Sequence, residues 1–531
     1  MVHLPGTADT VAADEGRLAE LGYKQGLKRE WSFVHNFGVS FSIISVITGI
    51  TTLFGYGLVT GGPGVMTVGW IIVNFFTFFV GLGMAEIVSA VPTSGGSYFW
   101  AAMLAGEEWG PFAAWMTGWF SLLGQVAATA GTTFGEAGLI STLATIKGGF
   151  EPTPLKTLGI YAALLLSHAT INTFGVRLLK YFSTASVILH SVGVSCIAIA
   201  VLVKAPTHQS ATFVFATFND STGVPGWSQV ASPAYVAVIG VLFVQYSITG
   251  YDASVHMSEE TKDAARAAPY GMLMSLTISA SFGFFIILAF LFSIQDFDKT
   301  ISSKYGQPVL QIFVDVFGEN GAIALFTVII VCVWHCGLFS ITSNSRMIYA
   351  FARDAGLPRW FAHTDRKFQS PIRTVWLATL MAFCLALPSI GSSVAFAACT
   401  SITTIGLYLS YGLPIFLGLI NPTRFGQMKG PFNLGRLSAP VATIATAWIA
   451  FITIVFCLPG VYPVTKKTFN YTPVAVGILA LGALGSWLVW ARTWFVGPIR
   501  EIEAERQGID INDEEALAKA EKEGFISSTK K

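Results

Sequence analysis

Two short runs of small and polar residues interrupt stretches that are otherwise apolar: Thr48-Gly-Ile-Thr-Thr52 and Tyr246-Ser-Ile-Thr-Gly-Tyr-Asp252. Where a helix breaks, the backbone it frees can bind charge. Freed amides, backed by the positive end of a half-helix, attract a carboxylate, and freed carbonyls at the opposing end attract an ammonium. An amino acid carries both groups. Asp252 adds a carboxylate inside the second run, where it is either a partner for an ammonium or a proton, or a cap on the adjoining half-helix.

Other ionisable and polar residues lie inside apolar stretches. His190 recurs with Ser183, Ser186 and Gly193 at helical spacing, on a stripe that should face protein. Its imidazole either loads and releases a proton near neutral pH or sits neutral against a backbone carbonyl. The hydroxyls of Ser340, Thr342, Ser343 and Ser345 are the competing set, since sodium takes oxygen ligands. The candidates for a coupling ion are therefore His190, Asp252 and Ser343. Gln125 is a further candidate for the substrate site, whereas Glu136, His168 and His335 read as local hydrogen-bonding or packing residues. Cys332 and Cys336 flank His335 one helical turn apart, a spacing that fits buried packing better than a metal site. No metal or cofactor is expected. No nucleophile, base and orienting acid gather at one depth, so the chain does not read as an enzyme.

The elements that must position these residues follow from composition. Of 531 residues, 53% are hydrophobic and 11% are charged, against about 25% charged in soluble proteins. The solvent is therefore largely lipid. Residues 65–82 and 277–294 carry no charge and are long enough to span a bilayer as helices. Apolar stretches bounded by charge, Gly or Pro predict twelve spans, starting near residues 38, 64, 111, 158, 179, 232, 269, 319, 373, 391, 438 and 472. The six cysteines all fall in apolar stretches, which leaves no disulfide framework, and a net charge of +1 gives no footprint for nucleic acid.

An even number of spans puts both termini on one side. Lys24, Lys28, Arg29, Arg177, Lys180, Lys262, Arg266, Arg353, Arg359, Arg366, Lys367, Arg373, Arg424, Lys429, Arg436, Arg492 and Arg500 all land there, so both termini are expected in the cytoplasm of a plasma-membrane protein. Residues 1–29 are mixed polar and show no cleavable signal. The expected division is a tail over 1–36, spans one to five over 37–204, an extracytoplasmic loop over 205–230, spans six to ten over 231–420, spans eleven and twelve over 421–495, and a tail over 496–531. Asn219-Asp-Ser is either a glycosylation acceptor or a chance tripeptide.

The breaks fall at comparable depth in the first and sixth spans. In lipid each unsatisfied backbone group costs several kcal/mol unless it lines a cavity or is sealed by protein. A matched pair therefore points to a binding site, although Gly and Thr are also tolerated in ordinary transmembrane helices. The expected fold is an all-α polytopic membrane protein of about twelve helices, a LeuT-like five-plus-five inverted repeat with helices 1 and 6 broken.

Four motifs occur in order: Ser45-Val-Ile-Thr-Gly-Ile-Thr-Thr52 followed by Gly61-Gly-Pro63; Ala85-Glu-Ile-Val-Ser-Ala-Val-Pro-Thr-Ser-Gly-Gly-Ser-Tyr-Phe-Trp100; Glu259-Glu-Thr-Lys-Asp-Ala-Ala-Arg-Ala-Ala-Pro269; and Ser345-Arg-Met-Ile-Tyr-Ala-Phe-Ala-Arg-Asp-Ala-Gly-Leu-Pro358. With them the chain resembles the amino acid, polyamine and organocation permeases, and within these the eukaryotic branch of amino acid, GABA and choline permeases. The resemblance implies that Thr48, Gly49, Ile50 and Thr51 frame a substrate carboxylate, that Gly250, Tyr251 and Asp252 face the amino end, and that Tyr246 is an aromatic gate. His190 falls where some bacterial members place a lysine, and Ile47-Thr-Gly49 stands where many have Gly-Ser-Gly. The function implied is secondary active transport of amino acids or related small amines such as GABA, by alternating access and coupled to protons or sodium. A choline or polyamine permease and a nutrient receptor that does not transport are the alternatives. The partners expected are a small zwitterionic or cationic substrate and membrane lipid, with the oligomeric state left open.

Overall fold

A computed structural model describes residues 7–20, 29–365, 367–368, 370–390 and 395–498. Lys24, Lys28, Arg366, Arg500 and nearly all of the 496–531 tail lie outside the described residues.

Helices account for the described fold, and among the described residues β-pairing is limited to isolated bridges such as Trp31 with Thr261. Among the described residues nine helices are long and apolar enough to cross a membrane, and Pro233–Ser247 is a shorter apolar one. Ser97–Leu143 and Pro154–Phe174 occupy the places expected for spans three and four. Ser97–Leu143 (47 residues) and Pro308–Arg353 (46 residues) are so long because each runs through a turn at a glycine with positive φ, Gly106 (φ 88°) and Gly318 (φ 71°). Only the segments beyond those turns correspond to the starts expected near residues 111 and 319.

The distribution of polarity is inverted relative to a water-soluble protein. Ile71, Phe75, Leu380, Ile478 and Leu481 are exposed on the outside, while Thr51, Gln125, His190, Gln245, Asp252 and Arg346 are buried. An apolar exterior around a polar interior is the arrangement that lipid solvation selects.

Both expected interruptions are present, one of them displaced. The sixth span is Pro233–Gly240 and Leu242–Ser247, then a non-helical turn through Gly250 (φ 100°), then Ala253–His256. The first span is Phe33–Ile44 and Val46–Val59, and it breaks at Ser45 (φ 33°, ψ 66°). Thr48 to Thr52 are helical, so the expected position of that break is corrected towards the N-terminus by about one turn. Thr48 stays helical because its amide donates to the Ser45 carbonyl at 2.6 Å and its carbonyl accepts from the Thr52 hydroxyl at 2.7 Å.

The face where the first span begins, called here the N-terminal face, is closed by contacts between helix ends. Arg29 donates to the Ser258 and Thr261 carbonyls at 3.0 and 2.6 Å, and Tyr98 donates to Asp354 at 2.8 Å. A helix over Thr7–Glu20, which sequence periodicity did not reveal, lies on this face. Its Asp14 accepts from the amides of Asp263 and Ala264 at 2.7 and 3.2 Å, supplying a cap to the helix Ala264–Phe292 from outside that helix. On the opposite face the 205–230 segment packs over the turn between spans one and two. Asn219 Nδ2 donates there to the Leu58 carbonyl at 2.9 Å, which is a structural role for that asparagine.

Candidate substrate site between the broken helices

The two breaks touch. A Cβ placed on Gly49 would lie 2.5 Å from Ser247 Cα, so the backbones of the first and sixth spans meet there because residue 49 has no side chain. Gly250 fits for two reasons: its φ is 100°, and a Cβ would approach Ile43 Cγ2 to 2.7 Å. Freed backbone is largely satisfied by neighbouring hydroxyls, as membrane burial demands. Ser247 Oγ donates to Phe243 O at 2.6 Å, Thr249 Oγ1 to Gln245 O at 2.6 Å, and Ser40 Oγ to Tyr251 O at 2.9 Å.

Between the breaks lies a cavity of about 30 Å³, lined by Ile43, Ile44, Thr48, Gly49, Thr132, Tyr246, Gly250 and Cys336 among others. Thr48, Gly49, Tyr246 and Gly250 are thus brought together as expected. Ile50, Thr51, Gln125, Tyr251 and Asp252 do not line it. Ile50 is packed in the core, and Thr51 passes its carbonyl to Gln307 Nε2 at 3.0 Å. The volume suffices for about one or two waters, so the site must widen to take a larger molecule.

His190 is joined to this cavity by hydroxyls. Its Nε2 lies 2.7 Å from Ser45 Oγ, and Ser45 Oγ lies 2.6 Å from Thr48 Oγ1 at the cavity wall. Its Nδ1 lies 2.9 Å from the Ser186 carbonyl, which can only accept, so Nδ1 carries a proton. Nε2 of the neutral ring therefore accepts from Ser45, and Nε2 of the charged ring donates to it. The same contacts explain the break: the left-handed Ser45 is held by His190 from the fifth span. Ser343 has no such link. Its Oγ and that of Ser340 are buried without a hydrogen-bond partner among the described residues, while Thr342 donates to Asn172 Oδ1 at 2.8 Å.

Asp252 lies beside the cavity rather than on it. Gln125 Nε2 donates to its Oδ2 at 2.7 Å, and His256 Nε2 lies 3.3 Å from the same oxygen. The ring of Tyr251 packs 5.6 Å from that of Tyr411.

A family model described as amino acid permease matches residues 35–481. An Oryza sativa protein named amino-acid permease BAT1 homolog is 45% identical over 504 residues, covering 92% of this chain and 96% of its own. Amino-acid permease BAT1 of Arabidopsis thaliana is 42% identical with the same coverage, and amino-acid permease 2 of Neurospora crassa is 31% identical over 93% of this chain and 91% of its own. The chain belongs to the amino acid permease family.

In this permease the N-terminal face is held by charge pairs whose carboxylates are buried. Arg353 grips Glu259 with two nitrogens at 3.0 and 3.2 Å, Ser94 N donates to Glu259 Oε1 at 3.0 Å, and Arg346 Nε meets Glu260 Oε1 at 2.9 Å. Burial pushes the Glu259 carboxyl up, but the Arg353 charge and hydrogen bonds outweigh it and hold the group below its ordinary 4.5. His256 is a buried polar residue that sequence reasoning passed over. Its partner Ser94 is 162 positions away, and no local pattern joins them.

Proposed function

We propose that this permease carries zwitterionic amino acids or related small amines such as GABA by alternating access, with protons as the coupling ion and both termini in the cytoplasm. The observation that carries the reading is the continuous contact from His190 through Ser45 to Thr48, ending at the cavity between two broken helices. A carboxylate at the start of the half-helix Val46–Val59 would meet its positive end, and a proton arriving at His190 would reverse the donor order along the hydroxyls that face it. The relatives named as amino-acid permeases support the substrate class. A carrier for cations alone would need a free counter-charge on the cavity wall, and the Asp252 carboxylate is instead engaged by Gln125 and His256.

Uptake by the purified permease in liposomes tests this, with labelled amino acids, GABA, choline and polyamines, measured as counterflow and under an inward proton gradient. At least one zwitterion is expected to enter, faster with the gradient. Movement of choline or polyamines alone would overturn the substrate class. Saturable binding without movement would make the protein a receptor.

A further inference from the structure

We propose that His256 is a proton-relay residue, sharing one proton with Asp252 and tying it, through the backbone of Ser94, to the Glu259–Arg353 closure of the N-terminal face. The proposal deepens the proton-coupled reading above and rests on it for its place in a transport cycle.

His256 Nδ1 lies 2.9 Å from the Ser94 carbonyl. A carbonyl only accepts, so Nδ1 carries hydrogen. A neutral ring would then present a lone pair at Nε2 to the Asp252 carboxylate 3.3 Å away, which is repulsive. The contact is favourable only with one proton between them, on the imidazole or on the carboxyl. Both side chains are buried, at 2% and 4% exposure. Gln125 donates to the same carboxylate oxygen at 2.7 Å. The titratable groups facing the pair are Tyr251 and Tyr411, and the charged groups one residue further on are Glu259 and Arg353.

Ser94 links the pair to the gate. Its carbonyl accepts from His256 while its amide donates to Glu259 Oε1 at 3.0 Å, and Arg353 holds that carboxylate. The Pro92-Thr-Ser-Gly-Gly96 run is built for this approach. Gly96 has φ 58°, and a Cβ there would lie 3.3 Å from His256 Cε1. Losing the shared proton leaves the Nε2 lone pair against a carboxylate, so the ring must give up Asp252 or Ser94. Giving up Ser94 frees the backbone whose amide holds Glu259, and the proton departs to water on the face that opens. Low pH therefore favours the closed face and higher pH the open one.

Hydrogen exchange of the full-length permease in lipid nanodiscs, measured between about pH 6 and 8 and corrected for intrinsic rates, tests the link. Exchange of amides in 92–100 and 253–262 is expected to rise with pH, by at most about tenfold per unit, the ceiling for one linked proton. His256→Gln and, independently, Asp252→Asn should flatten that dependence. A wild type with no corrected pH dependence there, or a variant that folds and retains it, would overturn the proposal. A wild type showing this exchange pattern but moving no amino acid in liposomes would sustain the proton link and overturn the transport reading.

Discussion

At the scale of single residues, the hydroxyl of Ser45 has the most to do. It sits between an imidazole and a threonine at the cavity wall, and its backbone adopts a left-handed conformation that costs a non-glycine residue about 1–2 kcal/mol. The hydrogen bonds to His190 and Thr48 offset that cost. In Ser45→Ala the chain of hydroxyls is cut, and a hydrogen bond to a charged group is worth roughly 1.5 kcal/mol or more. The ratio of gradient-driven uptake to counterflow should fall about tenfold, read from paired liposome assays; an unchanged ratio would mean that His190 does not couple through Ser45. His190, Thr48 and Gly49 were legible in the sequence because ionisable or small residues inside an apolar span are conspicuous. His256 was not, since it sits beside the charged Glu259-Glu260 pair, where a histidine reads as interfacial.

At the scale of elements, the first break was foreseen in its existence and missed in its position. The sequence reading put it over residues 48–52 because that run of small and polar residues interrupts an apolar span. In the fold Gly49 serves close approach to Ser247, and the break falls where a partner on another span holds Ser45. Such a partner is invisible to local propensity. The gate between the Glu259 turn and the helix ending at Arg353 has its own pH signature. Because Glu259 is held below its ordinary 4.5, its contribution is full above that value and is lost as pH falls through the lower folded value. Thermal unfolding between about pH 3 and 7 should show wild type losing stability steeply below about pH 4.5. Glu259→Gln should start roughly 1–3 kcal/mol lower at neutral pH and vary less, because it removes the buried carboxylate with which the part-exposed Arg353 pairs. Parallel profiles for the two proteins would mean that the pair contributes little to the closed face.

At the scale of the whole molecule, an apolar exterior surrounds two broken helices whose cavity is closed to about the size of one or two waters. That the chain is polytopic and helical was legible because charge, Gly and Pro punctuate its apolar stretches. The helix Thr7–Glu20 was not, because what seats it is the docking of Asp14 on the start of another helix rather than a pattern of its own. In the proposed alternating-access cycle one face opens at a time, and Thr48 is where the hydroxyl chain meets the cavity. The direct test is proton-gradient-driven uptake of a labelled zwitterionic amino acid into liposomes by wild type and by Thr48→Val, which keeps the shape and removes the hydroxyl. Wild type is expected to accumulate the substrate and Thr48→Val to do so at least about tenfold more slowly, on the same hydrogen-bond argument. Equal accumulation with equal proton stimulation would place the transport path away from the cavity between the broken helices.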